Sequence, residues 1–402
     1  MTTMKHSTFI RECVDLVRQS GILLIMFFFV CVSILMPQHG YFKDVFCACV
    51  LLFVGFRWKI DKTSGWLLVF SFTFAMMSYI KGTYGGTTEL ISYIIAPLAF
   101  YRFGLFVAER NRSEGIFVTF FIITILLLGI NIYIQTYLDM RSGYIVSIER
   151  RLGTDGNEIM LTATLLGSIV SLGFVGLSYF ISSKSPFTSL KAWLFLWLSV
   201  ASFFTVAHLV NRTGIVVLLL SVAAVVLYRI KGNAGKVVLA LLAVVGVGYF
   251  LLSGDTFTND ILDAYTTRED DSEESALSGG GRFYRWIDAI GNLFTHPFGW
   301  TAKYAYVHNL WFDVARVAGA IPFFALLLAT IKGNSYALKL FRIKGHTFIA
   351  LIVALNVCFF FTCFVEPIME GVSTYVYLYF MLWGFQKRYY ELLQNDRIER
   401  LL

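Results

Sequence analysis

Three arginines and one histidine stand within or near the longest polar interval of the chain. Arg212 stands in "LVNRTGIV", a turn of a few residues between two apolar runs. Arg282 and Arg285 lie one helical turn apart just after Gly279, Gly280 and Gly281, and His308 opens "HNLWFDVARVAGAIPFF", where apolar sequence resumes. A guanidinium is planar, stays charged at physiological pH and grips phosphate oxygens with two N–H donors at once. An imidazole can accept a proton near neutrality. Together they suit a ligand that carries phosphate and a hydroxyl that must lose its proton. The glycines let a backbone approach an anion closely, with the free N–H groups of a helix start behind them.

The elements that must hold these groups follow from composition. The chain has 402 residues, of which 57% are hydrophobic and 15% charged, with a mean hydropathy of +0.69. That is too apolar for a soluble globule, so an all-α polytopic membrane protein is predicted. Apolar runs near the length of a membrane-crossing helix recur about twelve times. They fall near 20–36, 42–57, 65–80, 88–108, 114–136, 159–182, 190–210, 213–229, 235–253, 308–331, 346–366 and 369–385. Residues 1–253 thus hold nine spans, 254–307 form a loop, and 308–402 hold three more spans and a tail. Lys and Arg are roughly twice as frequent in one set of alternate connections as in the other, which places both termini in the cytoplasm. The net charge of +7 is then a topology signal, and no nucleic-acid partner is implied. Glu12, Asp15 and the lack of a small-residue cleavage site make the first run an expected uncleaved anchor. The six cysteines lie in spans or near the N-terminus, and no His/Cys spacing suggests a metal.

The outer connections break the charge rule. Residues 137–158 carry Arg150 and Arg151 in "IERRLGTDGNEIM", and the 254–307 loop carries the two helix arginines. Within that loop "REDDSEES" is expected to be a solvated linker. Phe283, Trp286, Ile287, Ile290, Leu293 and Phe294 then recur at helical spacing, predicting an amphipathic helix over 282–295 that lies against the bundle and stops at His296-Pro297. Basic residues gathered at one membrane face point to a phosphate-bearing, membrane-tethered ligand, against the plainer use of contacting lipid headgroups or carboxylates. His308 is the candidate general base, and His208 and His296 are its competitors. Arg316 falls inside the run that His308 opens, where Asp313 three residues earlier is its expected partner. Asn309 stands beside the candidate base. Asp155 and Glu158, or Glu366 and Glu370, could orient sugars or His308, and Tyr284, Trp300, Tyr304 and Tyr306 could stack on sugar rings.

"LVNRTGIVVLLL", "GGGRFYRWIDAIGNLFTHPFGW" and "HNLWFDVARVAGAIPFF", in that order around one long outer loop, resemble the O-antigen ligase and polysaccharide polymerase superfamily of bacterial inner membranes, as does "RRLGTDGNEIMLTATLLG" upstream. The resemblance covers roughly residues 145–330. It implies a C-type glycosyltransferase bundle, with inversion and without metal or other cofactor. The donor would be a glycan on undecaprenyl diphosphate at the periplasmic side, and the acceptor a hydroxyl of lipid A-core or of another glycan. It further implies that Arg212 and Arg282 bind the diphosphate and that His308 activates the acceptor; Arg285, Arg150, Arg151, Asn309 and Arg316 are candidate substrate-binding residues by their own position and charge. Membrane lipids complete the implied partners. Asn211, where many members carry Ser or Thr, and the short interval from Arg282 to His308 depart from the pattern. O-antigen ligation, repeat-unit polymerisation and, outside the enzymes, a twelve-span transporter remain the competing functions; the last would place charges near the midplane and show paired broken helices.

Overall fold

The computed structural model describes residues 21–35, 41–55, 60–110, 113–144, 149–152, 159–183, 189–229, 282–300, 307–343, 345–366, 369 and 373–399. The expected span at 235–253, the acidic run at 268–275, the glycines at 279–281, Asp155, Glu158, Tyr304, Tyr306 and Glu370 lie outside them. Helices dominate. Among the described residues, six are long and apolar enough to cross a membrane: α3 (Lys62–Lys81), α4 (Thr87–Ala108), α5 (Ser113–Arg141), α8 (Leu190–His208), α12 (Ala320–Phe341) and α13 (Thr347–Val365). This is the architecture of a membrane-embedded helical protein. Shorter helices are α1 (Gly21–Leu35), α2 (Tyr41–Val50), α6 (Ala163–Val170), α7 (Val175–Ser182), α9 (Arg212–Arg229), α10 (Arg282–Thr295) and α11 (Leu310–Ala318), and α14 (Ser373–Glu399) closes the chain.

The chain forms two compact units that interleave in sequence. One draws on residues within 1–124, 286–342 and 367–402, the other on 125–285 and 343–366. In the first, α14 packs chiefly on α4. A Cβ on Gly104 would stand 2.0 Å from Met381 O, and one on Gly384 2.0 Å from Tyr101 O. The two backbones therefore touch, which is how helices associate where lipid supplies no hydrophobic drive. One end of the contact is polar. Asp61 caps α3 by accepting the Ser64 N–H at 2.8 Å, and its other oxygen accepts from Tyr101 and Lys387, so one carboxylate ties α3, α4 and α14 together.

Two expectations are corrected, and one element is added. The run 159–182 is not one α-helix: it is a strand, α6, a 3-10 turn at Ser171–Phe174, and α7. The cause is crowding in the second unit, where Ser199 of α8 donates to Gly173 O at 2.7 Å and Phe195 O would lie 2.3 Å from a Cβ on Gly176. The helical fold also carries one hairpin that was not anticipated, β1 (Glu149–Leu152) antiparallel to β2 (Ile159–Thr162), with Arg150 opposite Leu161 and Arg151 opposite Met160. Its connection "GTDGNE" is made of turn-forming residues. Finally, 308–331 is not one helix. It breaks at Gly319, whose φ is +90 and whose Cβ would meet Pro297 O at 2.1 Å, separating short α11 from spanning α12.

Candidate functional site

In the second unit the candidate residues collect where α8 ends and α9 begins. Asn211 is buried and its Oδ1 accepts the Gly214 N–H at 2.7 Å, so it caps α9, a purpose that asparagine serves as well as serine or threonine. Arg212 is consequently the first residue of α9. Its side chain, like those of Arg150 and Arg151, lies outside the described groups. Just before the cap, Val210 has φ +50, a left-handed conformation that is strained for a β-branched residue.

Glu366 joins this region to the loop. It is wholly buried at the end of α13, and its Oε1 accepts from Thr213 Oγ1 at 2.8 Å and from Arg282 Nη2 at 3.2 Å. A carboxylate without water is tolerable only with such partners. Thr213 follows Arg212 directly, so the starts of α9 and α10 converge on one acid. Nearby, at the ends of α5 and α8, His208 Nε2 lies 3.3 Å from Asp139 Oδ2 with the imidazole buried. His208 therefore has an acidic partner, which the sequence did not disclose.

In the first unit His308 precedes α11. Asn309 caps that helix by accepting the N–H groups of Trp311 and Phe312, both at 3.2 Å. Asp313 reaches back over the same turn, taking the Val307 N–H at 2.7 Å and the Asn309 N–H at 3.2 Å. His308 lies between those two amides and is held at φ +58. Arg316 Nε is 3.7 Å from Asp313 Oδ1, the expected pairing, but the backbone amides are the closer partners of that carboxylate. Trp286 of α10 donates from Nε1 to Val307 O at 3.2 Å, steadying the residue before the histidine.

Helix α10 spans the predicted residues, but its packing differs from expectation. Ala289 and Leu293 are buried, at 1% and 5% exposure, whereas Phe283, Ile287, Ile290 and Phe294 are exposed. The arc through Arg282, Trp286, Ala289 and Leu293 turns inward, and the four exposed apolar side chains do not. Arg285 is half-buried and Tyr284 exposed.

Arg282 thus shares a unit with the Arg212 turn through Glu366, and His308, Asn309, Asp313 and Arg316 share one short helix in the other unit. Sequence reasoning did not bring out Thr213 or the His208–Asp139 pair, and offered Glu366 only as a group that could orient sugars or His308. The available signal was an acid closing an apolar run before Pro367. No protein-family model matches the chain, and no curated protein matches it either.

Proposed function

We propose that this chain is a membrane glycosyltransferase that moves a glycan from undecaprenyl diphosphate to an acceptor hydroxyl at the periplasmic face of a bacterial inner membrane, the acceptor being lipid A-core. The observation that carries the proposal is where the backbone is strained. Among the described residues only Val210 and His308 are non-glycines at positive φ. One lies two residues before Arg212, and the other is the candidate base. Strain of this kind gathers where surrounding structure must hold a side chain in position. Arg282, aligned by a buried carboxylate before any ligand arrives, is a second support.

The acceptor oxygen attacks the anomeric carbon on the face opposite the diphosphate. The new glycosidic bond forms as the bond to the diphosphate oxygen breaks, and the configuration inverts without a protein nucleophile. His308 takes the hydroxyl proton, and the diphosphate leaves with the bonding pair. Arg212 and Arg282 stabilise the charge that gathers on it, an effect strongest where water is excluded. Arg285, Arg150, Arg151, Asn309 and Arg316 belong to glycan and headgroup binding.

The test is the lipopolysaccharide ladder of a strain lacking the gene, with undecaprenyl-linked glycan extracted in parallel. Bare core with long polymer stranded on undecaprenyl diphosphate supports ligation. Core bearing a single repeat would reassign the protein as a polymerase, and an unchanged ladder would overturn the lipopolysaccharide assignment.

A further inference from the structure

Helix α10 presents three faces. Trp286, Ala289 and Leu293 turn toward protein, and Tyr284, Asp288, Asn292 and Thr295 form a polar face. The third stripe, Phe283, Ile287, Ile290 and Phe294, recurs at i, i+4, i+7 and i+11 and is apolar throughout. Ile287 is 55% exposed and Phe294 74%. Four large apolar side chains in one row are not a surface that water tolerates.

The level of the helix identifies what covers them. The turn that follows it is fastened within the first unit: Ala320 N–H donates to Pro297 O at 2.8 Å and Trp300 N–H to Arg316 O at 3.0 Å. A Cβ on Gly299 would stand 2.3 Å from Lys81 Nζ. Lys81 is the last residue of α3, a helix of spanning length, so this turn lies where a span meets the membrane surface. The outward side chains of α3 at the same end, Met76, Tyr79 and Ile80, are exposed and apolar, and Phe298, also exposed, extends the α10 stripe toward them. The Lys81 ammonium at this level suits an anionic headgroup.

We infer that the stripe Phe283, Ile287, Ile290 and Phe294 is immersed in the bilayer surface, making α10 a lipid-bound interfacial helix as well as a protein-packed one. A helix with one face on protein, one in lipid and one in water has little freedom to roll or lift. The inference is independent of the transfer reaction.

The test places the photocrosslinker p-benzoylphenylalanine singly at Ile287, Ile290 and Phe294, and at Asp288 and Asn292 for comparison. The full chain is reconstituted in vesicles of phosphatidylethanolamine and phosphatidylglycerol containing radiolabelled phospholipid. Immersion predicts lipid adducts about tenfold more abundant at the three apolar positions than at the two polar ones. All five residues are at the helix surface, and each variant's elution and melting in detergent verifies its fold. A covalent dimer at the apolar positions would overturn the inference in favour of a second copy. Equal lipid labelling on both faces, or adducts within the chain alone, would overturn it as well.

Discussion

Arg282→Ala separates a structural arginine from a catalytic one only when it is combined with a change at Glu366. Glu366 is 0% exposed, and its Oε1 receives Arg282 Nη2 at 3.2 Å. Removing one partner of a buried ion pair costs about 3–5 kcal/mol. Arg282 is 24% exposed, so water screens part of the pair and about 3 kcal/mol is expected. Glu366→Ala leaves an arginine that can turn to water, and its loss of hydrogen bonds is expected to cost about 1.5 kcal/mol. The double variant removes both charges, so its cost should fall short of the sum of the two by about 2 kcal/mol. Equilibrium unfolding of the purified proteins in mixed micelles measures that coupling, and transfer from undecaprenyl-diphosphate glycan is assayed on the same preparations. The double variant should regain stability over Arg282→Ala and remain inactive. Coupling below about 0.5 kcal/mol would refute the ion pair as a stabilising unit. Transfer returning together with stability would refute the assignment of Arg282 to the diphosphate.

Three further comparisons test the fold and His308. Gly104→Ala drives a methyl into Met381 O, 2.0 Å away, and should destabilise by about 3 kcal/mol; Gly291→Ala, with nothing within 4 Å of its Cβ, should stabilise α10 by about 0.5 kcal/mol, both read as shifts in detergent melting temperature. Burial alone would raise the Asp61 carboxyl, but hydrogen bonds from Lys387, Ser64 and Tyr101 and the charge of Lys387 hold it below the usual carboxylate range. A carboxyl depressed by folding contributes stability above its unfolded pKa near 4 and loses it as pH falls through the lower folded value, so stability should fall more steeply below about pH 4 in the native protein than in Asp61→Asn, and parallel curves would contradict the assignment. His308→Ala and His308→Gly should both lose transfer by about a hundredfold or more, yet the glycine variant should be the more stable by about 1 kcal/mol because it accepts φ +58 without strain.

The long helices were legible because lipid forces every backbone hydrogen bond inside its own segment, so apolar run length reports helix length. α10 was found at its predicted bounds for a related reason, since its apolar residues keep a helical period. The period could not say that half of a broad apolar arc packs inward and half does not; that depends on which neighbours reach the helix. The break at Gly319 was visible in part, because glycine followed three residues later by Pro322 is the signature of one helix ending and another starting, but continuous apolarity across "VAGAIPFF" concealed it. The site shows the same limit more sharply. The cap by Asn211 and the turn held by Asp313 arise from residues within six positions of one another, so local sequence contains them. The partners of Glu366 stand 153 and 84 positions away. No local rule links an acid at the end of one helix to a threonine and an arginine at the starts of two others; only the packing of α9 and α13 gives that carboxylate its role. The strain at His308 is of mixed origin: the Asn309 and Asp313 spacing hints at a tightly capped turn, but φ +58 requires Asp313 to take both flanking amides at once, and that geometry can be recognised only after the chain has folded.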